Sequence, residues 1–403
     1  RLWKNIRTYT GIFEEYSTYM TEHQKIMILK FLYELLSHKE GDIRMQAAAL
    51  MGCIIADFND TYTKELPQGV SLPHKKVTNA SLFAQYVKMI LYPEIRFTEQ
   101  HKQWIGYCFS TFVNSVLAHC PAADKAGYIN SLKPYYRTDA YTDEQYIILL
   151  KALADMDRTT GVSDFAETAQ RFILKAMEDG SYNLRIAALI TARHVLPAYT
   201  RERYYQELLQ YMDLPSERCQ FEEKEGSLFL IDLKMGTHWV VKVANIELML
   251  RYADDQCSKG DIMHLGMHLT NLLKVSETIF VRQAAGESLL RIADKMTYSQ
   301  RNELAVELFN GLEIGDPQIA KYMPDFLGRM IIKLPPQEFD EFISTIASQI
   351  VAANIQLASA MVHTVGVILE HFTAFAAAFP EDRASHEKRQ RRLLYIMMKA
   401  YAH

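Results

Sequence analysis

The sequence predicts an all-α fold, a right-handed superhelix of stacked helix pairs (an α-solenoid), and three observations carry that expectation. Apolar residues recur at spacings of three and four through long windows, with few glycines or prolines to interrupt them, which is the pattern of amphipathic helices. A chain of 403 residues exceeds the size that one hydrophobic core usually serves, so it forms either several domains or one elongated repeat array. The third observation favours the array. "EGDIRMQAAALMGCIIAD", Glu40 to Asp57, returns far downstream as "ETIFVRQAAGESLLRIAD", Glu277 to Asp294, with the same acidic approach, arginine, small-residue pair and apolar run ending in Ala-Asp.

The elements follow in order. First helices of about three turns read from "QKIMILKFLYELL", "FAETAQRFILKAM", "IMHLGMHLTNLL", "RNELAVELFNGL" and "FDEFISTIASQI", each followed by a break of acidic, small or glycine-containing residues. The second helices align on Arg44, Arg185, Lys242 and Arg282. One residue before the anchor stand Ile43, Leu184, Val241 and Val281; three after it stand Ala47, Ala188, Asn245 and Ala285. Seven after stand Met51, Ala192, Met249 and Leu289, and ten after stand Ile54, Val195, Tyr252 and Ile292. These offsets mark a single stripe of an α-helix, and the small residues at its centre admit a closely packed neighbour. Less regular copies place Lys321 and Gln356 near the anchor position, and Gln103 and Gln145 read as degraded anchors upstream. About eight pairs then fill residues 1–403 as one array, spaced at roughly 40 residues where the copies are regular. Two polar insertions interrupt it, 59–79 and 213–238; "SLFLIDL" in the second has the bulk of a small hairpin.

The order of apolar helix, short acidic break and "D-I-R-x-x-A-A" or "F-V-R-x-A-A" resembles HEAT repeats. That resemblance implies that the second helix of each pair lines a concave face and that Arg44, Arg185 and Arg282 tie neighbouring loops together. The proline usual in the family's first helix is missing here. Independently, a helix pair cannot cover its own apolar face, whereas stacked pairs bury a continuous core. A cation in a helix's first turn opposes the helix dipole, so acids such as Asp42, Asp179 or Glu277 are expected beside these arginines.

Composition narrows the function classes. Hydrophobic residues at 49% and charged residues at 23% exclude a disordered chain, and a formal charge of −4 leaves no overall electrostatic footprint for nucleic acid or anionic membrane. Five scattered cysteines (Cys53, Cys108, Cys120, Cys219, Cys257) without a Cys-x-x-Cys pair indicate neither a disulfide framework nor a zinc knuckle, and point to a reducing, cytoplasmic setting. "LASAMVHTVGVIL" is too short for a membrane span and reads as a buried helix. The chain reads as a segment of a longer protein.

No Walker, dinucleotide or nucleophile-elbow motif occurs. His264 and His268 lie four apart but lack the glutamate that the metalloprotease pattern needs, so they read as ordinary helix histidines. His386-Glu387 stands alone in a charged run, and no cofactor or metal is expected. The acids of "ADD" at 253–255, like Asp57 and Asp294, recur at helix ends and read as loop-binding rather than catalytic. Nine residues past the anchor the chain carries His194, Arg251 and Arg291, with Cys53 breaking the series; on successive second helices these would form a ladder of cations about 10 Å apart. Glu247 and Glu287, four residues before Arg251 and Arg291, are placed for ion pairs along the helix. The basic run "EKRQRR" at 387–392 reads as a solvated helix face.

The functional expectation is therefore a non-catalytic scaffold that binds a protein partner, or another domain of the same polypeptide, through His194, Arg251 and Arg291. Two alternatives stand beside it. "FVRQAAGESLLRIAD" and "RNELAVELFNGLEIGD" faintly resemble the helical portion of large bacterial proteins that carry a cytidylyltransferase-like domain, which implies an accessory region of an enzyme whose active site lies elsewhere. Nucleic acid in the groove is possible but disfavoured by the paired acids, and no membrane partner is expected.

Overall fold

The computed structural model describes residues 2–59, 63–64, 75–137, 139, 141–156, 163–211, 237–255, 259–276, 278–313, 322–380 and 383–401. The fold is all-α, and its packing separates two compact units, Arg1–Asp213 and Leu214–His403, where the sequence suggests one array. The boundary coincides with the start of the second insertion.

In the first unit the helices are α1 (Leu2–Tyr16), α2 (Glu22–Leu35), α3 (Gly41–Ala56), α4 (Asn79–Leu91), α5 (Glu99–Tyr107), α6 (Phe109–His119), α7 (Ala122–Leu132), α8 (Asp143–Asp155), α9 (Ser163–Asp179), α10 (Tyr182–Val195) and α11 (Arg201–Tyr211). The second unit holds α12 (Trp239–Asp255), α13 (Lys259–Val275), α14 (Ile279–Ala293), α15 (Tyr298–Gly311), α16 (Met323–Ile331), α17 (Pro336–Gln349), α18 (Ile355–Glu370), α19 (Phe372–Ala378) and α20 (Arg383–Tyr401). The segment 99–120, which has the apolar spacing of a single helix, bends at Cys108, whose N–H turns back to the Ile105 carbonyl and separates α5 from α6.

Helix starts are written locally. Thr21 with Gln24, Thr78 with Ser81, Thr142 with Gln145 and Thr297 with Gln300 form reciprocal capping boxes that satisfy orphan backbone donors at both ends of the box. Gln145 caps α8 from within its first turn.

Each unit is layered in two rows. In the first, α1 packs on α3, α3 on α6, α6 on α8 and α8 on α10, with α4, α7 and α9 forming the layer behind. In the second, α12, α14, α16, α18 and α20 pack in succession, backed by α13, α15 and α17. Arg44, Arg185, Lys242 and Arg282 stand on the row helices α3, α10, α12 and α14, and the stripe aligned on them is the core; Gln103, expected as a degraded anchor, falls instead on α5, outside the row. All four residues at the offset before the anchor are buried, as are those three and seven residues after it. Ile54 and Ile292 continue the stripe ten residues on, whereas Val195 is half-buried.

Glycine lets the rows close up further than alanine would. A Cβ on Gly52 would lie 2.5 Å from the Ser115 Cβ, and one on Gly286 would lie 2.2 Å from the Phe326 ring. At the first of these points Ser115 donates to the Ala49 carbonyl at 2.5 Å, joining α6 to α3. Buried tyrosines add polar ties between helices: Tyr33 donates to the Met89 carbonyl at 3.0 Å and Tyr136 to the Leu149 carbonyl at 3.1 Å.

The first insertion carries a short antiparallel ladder of β1 (Thr63–Lys64) and β2 (Lys75–Lys76), pairing Thr63 with Lys76 and Lys64 with Lys75. The hairpin expected in the second insertion lies outside the described residues. "LASAMVHTVGVIL" falls within α18, which buries Met361, Val365 and Ile368. Among the described residues no single helix is long and apolar enough to cross a membrane.

Candidate functional site: the row surface of the second unit

With one stripe of each row helix committed to the core, another faces outward. On α12 it presents Glu247, Arg251 and Asp254, half-buried; on α14 Gln283, Glu287 and Arg291, exposed; on α16 Asp325 and Arg329, half-buried. Spacings of three and four residues keep each set on one helix face.

Charge pairing runs across the helices. Arg291 donates to Asp254 at 2.7 Å, and Lys295, just past the end of α14, reaches the same carboxylate at 2.5 Å and the Ala253 carbonyl at 3.1 Å. Arg329 holds Glu287 with two bonds, 2.6 and 2.9 Å, and Lys333 reaches Asp294 at 2.6 Å. The Glu287 bond, together with the pull of that carboxylate and Asp325, pushes the Arg329 pKa above its ordinary value. Asp254 and Asp294 stand at helix C-termini, where the dipole disfavours a negative charge, so a cation from the next helix stabilises each. Arg301 completes this edge by donating to the carbonyls of Ala293, Asp294 and Lys333 at 2.7, 3.2 and 3.0 Å, which ties the C-terminal ends of two row helices together.

The sequence-predicted residues fall as follows. Arg251 and Arg291 lie on adjacent row helices, α12 and α14, which pack together; His194 is half-buried on α10, in the other unit. The expected pair of Glu287 with Arg291 along α14 does not form, because each has a partner on a neighbouring helix: Arg329 for the acid, Asp254 for the arginine. Of the repeat anchors, Arg44 is buried, donates to the His38 and Lys39 carbonyls at 2.6 and 3.1 Å, and lies 5.0 Å above the Trp104 ring. Arg185 donates to the Glu178 carbonyl at 3.1 Å, and Arg282, also buried, stacks 4.5 Å from the Tyr322 ring. Lys242 is half-buried in the first turn of α12. The side chains of Asp179 and Glu277, expected beside these anchors, lie outside the described residues.

Arg329 and Arg301 were not legible as site residues. Arg329 stands eight residues after Lys321 where regular copies place their cation at nine, a slip that hides it. Arg301 had a signal: "TYSQR" at 297–301 repeats the form of "TEHQK" at 21–25, a capping box followed by a cation. Lys25 plays the matching part in the first unit, donating to the Asp57 carbonyl at 3.1 Å and its carboxylate at 3.3 Å.

The remaining candidates are structural or exposed. His264 is exposed and His268 half-buried on α13, and among the described residues no group of three or more metal-binding side chains assembles. His386 is buried, its Nε2 2.6 Å from the Phe379 carbonyl and its Nδ1 3.2 Å from Arg389. In the basic run Arg389 grips Asp340 through bonds of 2.8 and 2.9 Å and Arg392 donates to Ser344 at 3.0 Å, holding α20 on α17; Lys388 and Arg391 are exposed.

Rows of stacked helices that display side chains at one-helix intervals define the class: an all-α array, solenoid-like in its layering. No protein-family model matches the chain, and no curated protein matches it.

Proposed function

We propose that this chain is a HEAT-like binding scaffold without catalysis of its own, and that the row surface of the second unit takes a segment of a protein partner or of another domain of the same polypeptide. The observation that supports this reading is the alternation of charge on that surface. Arg291 and Arg329 are each answered by a carboxylate of the preceding row helix, at 2.7 and 2.6 Å, so the surface offers both signs of charge within one helix spacing. A polyanionic backbone gains little from such a surface, since its phosphates would meet Asp254, Glu287 and Asp325 as well as the arginines. A peptide, which carries both donors and acceptors, can complement it. The buried Cys108 thiol, pushed up to about 12 by its burial, suits a reducing cytoplasmic setting in which it stays inert.

A photo-crosslinking residue placed at Gln283, exposed on this surface, should capture a protein in cells, and one at Glu303, exposed on α15 in the other row, should not. The pair Arg251→Glu and Arg291→Glu should reduce that capture at least about tenfold while Arg291→Gln leaves the fold intact. Equal capture at both positions, or steeply salt-dependent binding of RNA or DNA, would overturn the proposal.

A further inference from the structure

Three successive row helices of the second unit repeat one polar pair. Glu247 and Arg251 on α12, Glu287 and Arg291 on α14, and Asp325 and Arg329 on α16 each set an acid four residues before a cation. Four residues rise about 6 Å along a helix and packed helices lie about 10 Å apart, so the surface carries two lanes, one acidic and one basic, that run across the row. The pair is confined to these helices. The corresponding positions of the first unit hold Ala49 and Cys53 on α3 and Ile190 and His194 on α10, and α18 has no charged residue before Glu370 at its end. Of the other described charges, Lys242 lies in the first turn of α12, Arg282 is buried, and Asp254, Asp294, Lys295 and Lys333 are paired across the helices at their C-terminal ends.

Among the described residues no large apolar side chain is exposed on α12, α14 or α16, so an amphipathic helix finds no apolar seat there. An extended chain needs none. It advances about 3.3 Å per residue and turns alternate side chains to opposite sides, so residues three apart lie one helix interval apart and face different lanes. The arginines also differ in how far they are engaged. Arg329 is 27% exposed and spends its hydrogen bonds on Glu287 and Asp325, whereas Arg291 is 50% exposed and makes one, to Asp254.

We propose that the row surface of the second unit takes an extended segment of a protein partner in which an acid is flanked by two basic residues at intervals of three, base-x-x-acid-x-x-base. The acid meets the donors of Arg291 that Asp254 does not use, and the bases meet Glu247 and Asp325 in the other lane, on the helices to either side. About seven residues cover the three helices. The inference rests on that surface being the docking site.

Random peptides displayed on phage and selected on the 403-residue chain test it. The expected result is enrichment of sequences with a base, an acid and a base at intervals of three. Selection on Arg291→Glu should turn the middle residue basic, and selection on Asp325→Lys should turn one outer residue acidic. A peptide selected on the wild-type chain should lose at least about tenfold in affinity on either variant. Should a variant be poorly folded by circular dichroism, Arg291→Gln and Asp325→Asn keep the test through the loss of affinity. Enriched sequences without this spacing, charges at the four- and seven-residue intervals of a helix, a pattern that the variants leave unchanged, or no enrichment at all would each overturn the proposal. Capture of a protein at Gln283 alongside any of these results would reject the segment and leave the docking surface standing; loss of that capture as well would reject both.

Discussion

The carboxylate of Glu287 lies four residues before Arg291 on α14, yet both of its hydrogen bonds come from Arg329 on α16, at 2.6 and 2.9 Å. The close approach that makes this possible is set beside it in the chain, at Gly286, where the Phe326 ring of α16 occupies the space a side chain would need. Core and surface are therefore coupled at adjacent residues: the glycine brings the helices together and the ion pair bridges them.

The first expectation concerns that contact. Gly286→Ala must displace a buried ring that would sit 2.2 Å from the new methyl. Overpacking of this kind costs about 1–3 kcal/mol, more than the fraction of a kcal/mol that alanine gains in helix propensity. Urea unfolding should show a lowered midpoint; an unchanged or raised one would mean that the rows are not held this tightly.

A double-mutant cycle on Glu287 and Arg329 should give a coupling of about 0.5–1 kcal/mol that shrinks as salt rises, because the acid is largely exposed. The same cycle on Glu287 and Arg291 should give none. Coupling in the second cycle and not in the first would restore the pairing along the helix.

Arg301 serves three carbonyls from one guanidinium. Its replacement by alanine removes all three bonds, with only the Ala293 carbonyl keeping a backbone donor, Met296 at 3.1 Å, at a cost of about 1.5–3 kcal/mol for a charged hydrogen-bonding group. Arg301→Lys should recover only part of this, since a point-charge ammonium does not reproduce the planar fork. Full recovery by lysine would show that charge alone matters there.

Alkaline pH should destabilise the first unit, and the sign follows from Cys108. Burial pushes its thiol from 9.0 up to about 12, with Arg44 opposing weakly. The unfolded thiol therefore loses its proton in a range where the folded one keeps it, so the associated stability is complete below about pH 9 and is lost as pH climbs towards 12. Tyr33, raised to about 12 mainly by burial, adds to the upper part of that window. Urea titrations at several pH values should show a shallower decline in Cys108→Ala than in the parent, whatever the offset between them; parallel curves would remove Cys108 from the account.

The helices and their buried stripe were readable because both depend on local spacing. Ala47, Ala188 and Ala285 sit at a fixed offset from their anchors, and all are fully buried. The acids at helix ends were readable too, as recurring structural groups, and Asp254 and Asp294 do receive lysines. The ladder of cations was readable only in part. Arg251 and Arg291 were placed on neighbouring helices, but Arg329 was obscured by a one-residue slip, and the partner of Arg291 lies 37 residues away in the chain.

That division has a physical cause. A 3.6-residue period places side chains on one face of a helix whatever the helix later packs against, and a capping box such as Thr297 with Gln300 closes within a single turn. Which of two reachable carboxylates an arginine takes depends on the separation of helices some forty residues apart in sequence, to within an ångström or so. That separation is set by a ring against a glycine and by the packing of every layer behind it, so the partners of Glu287 and Arg291 emerge only when the rows are assembled.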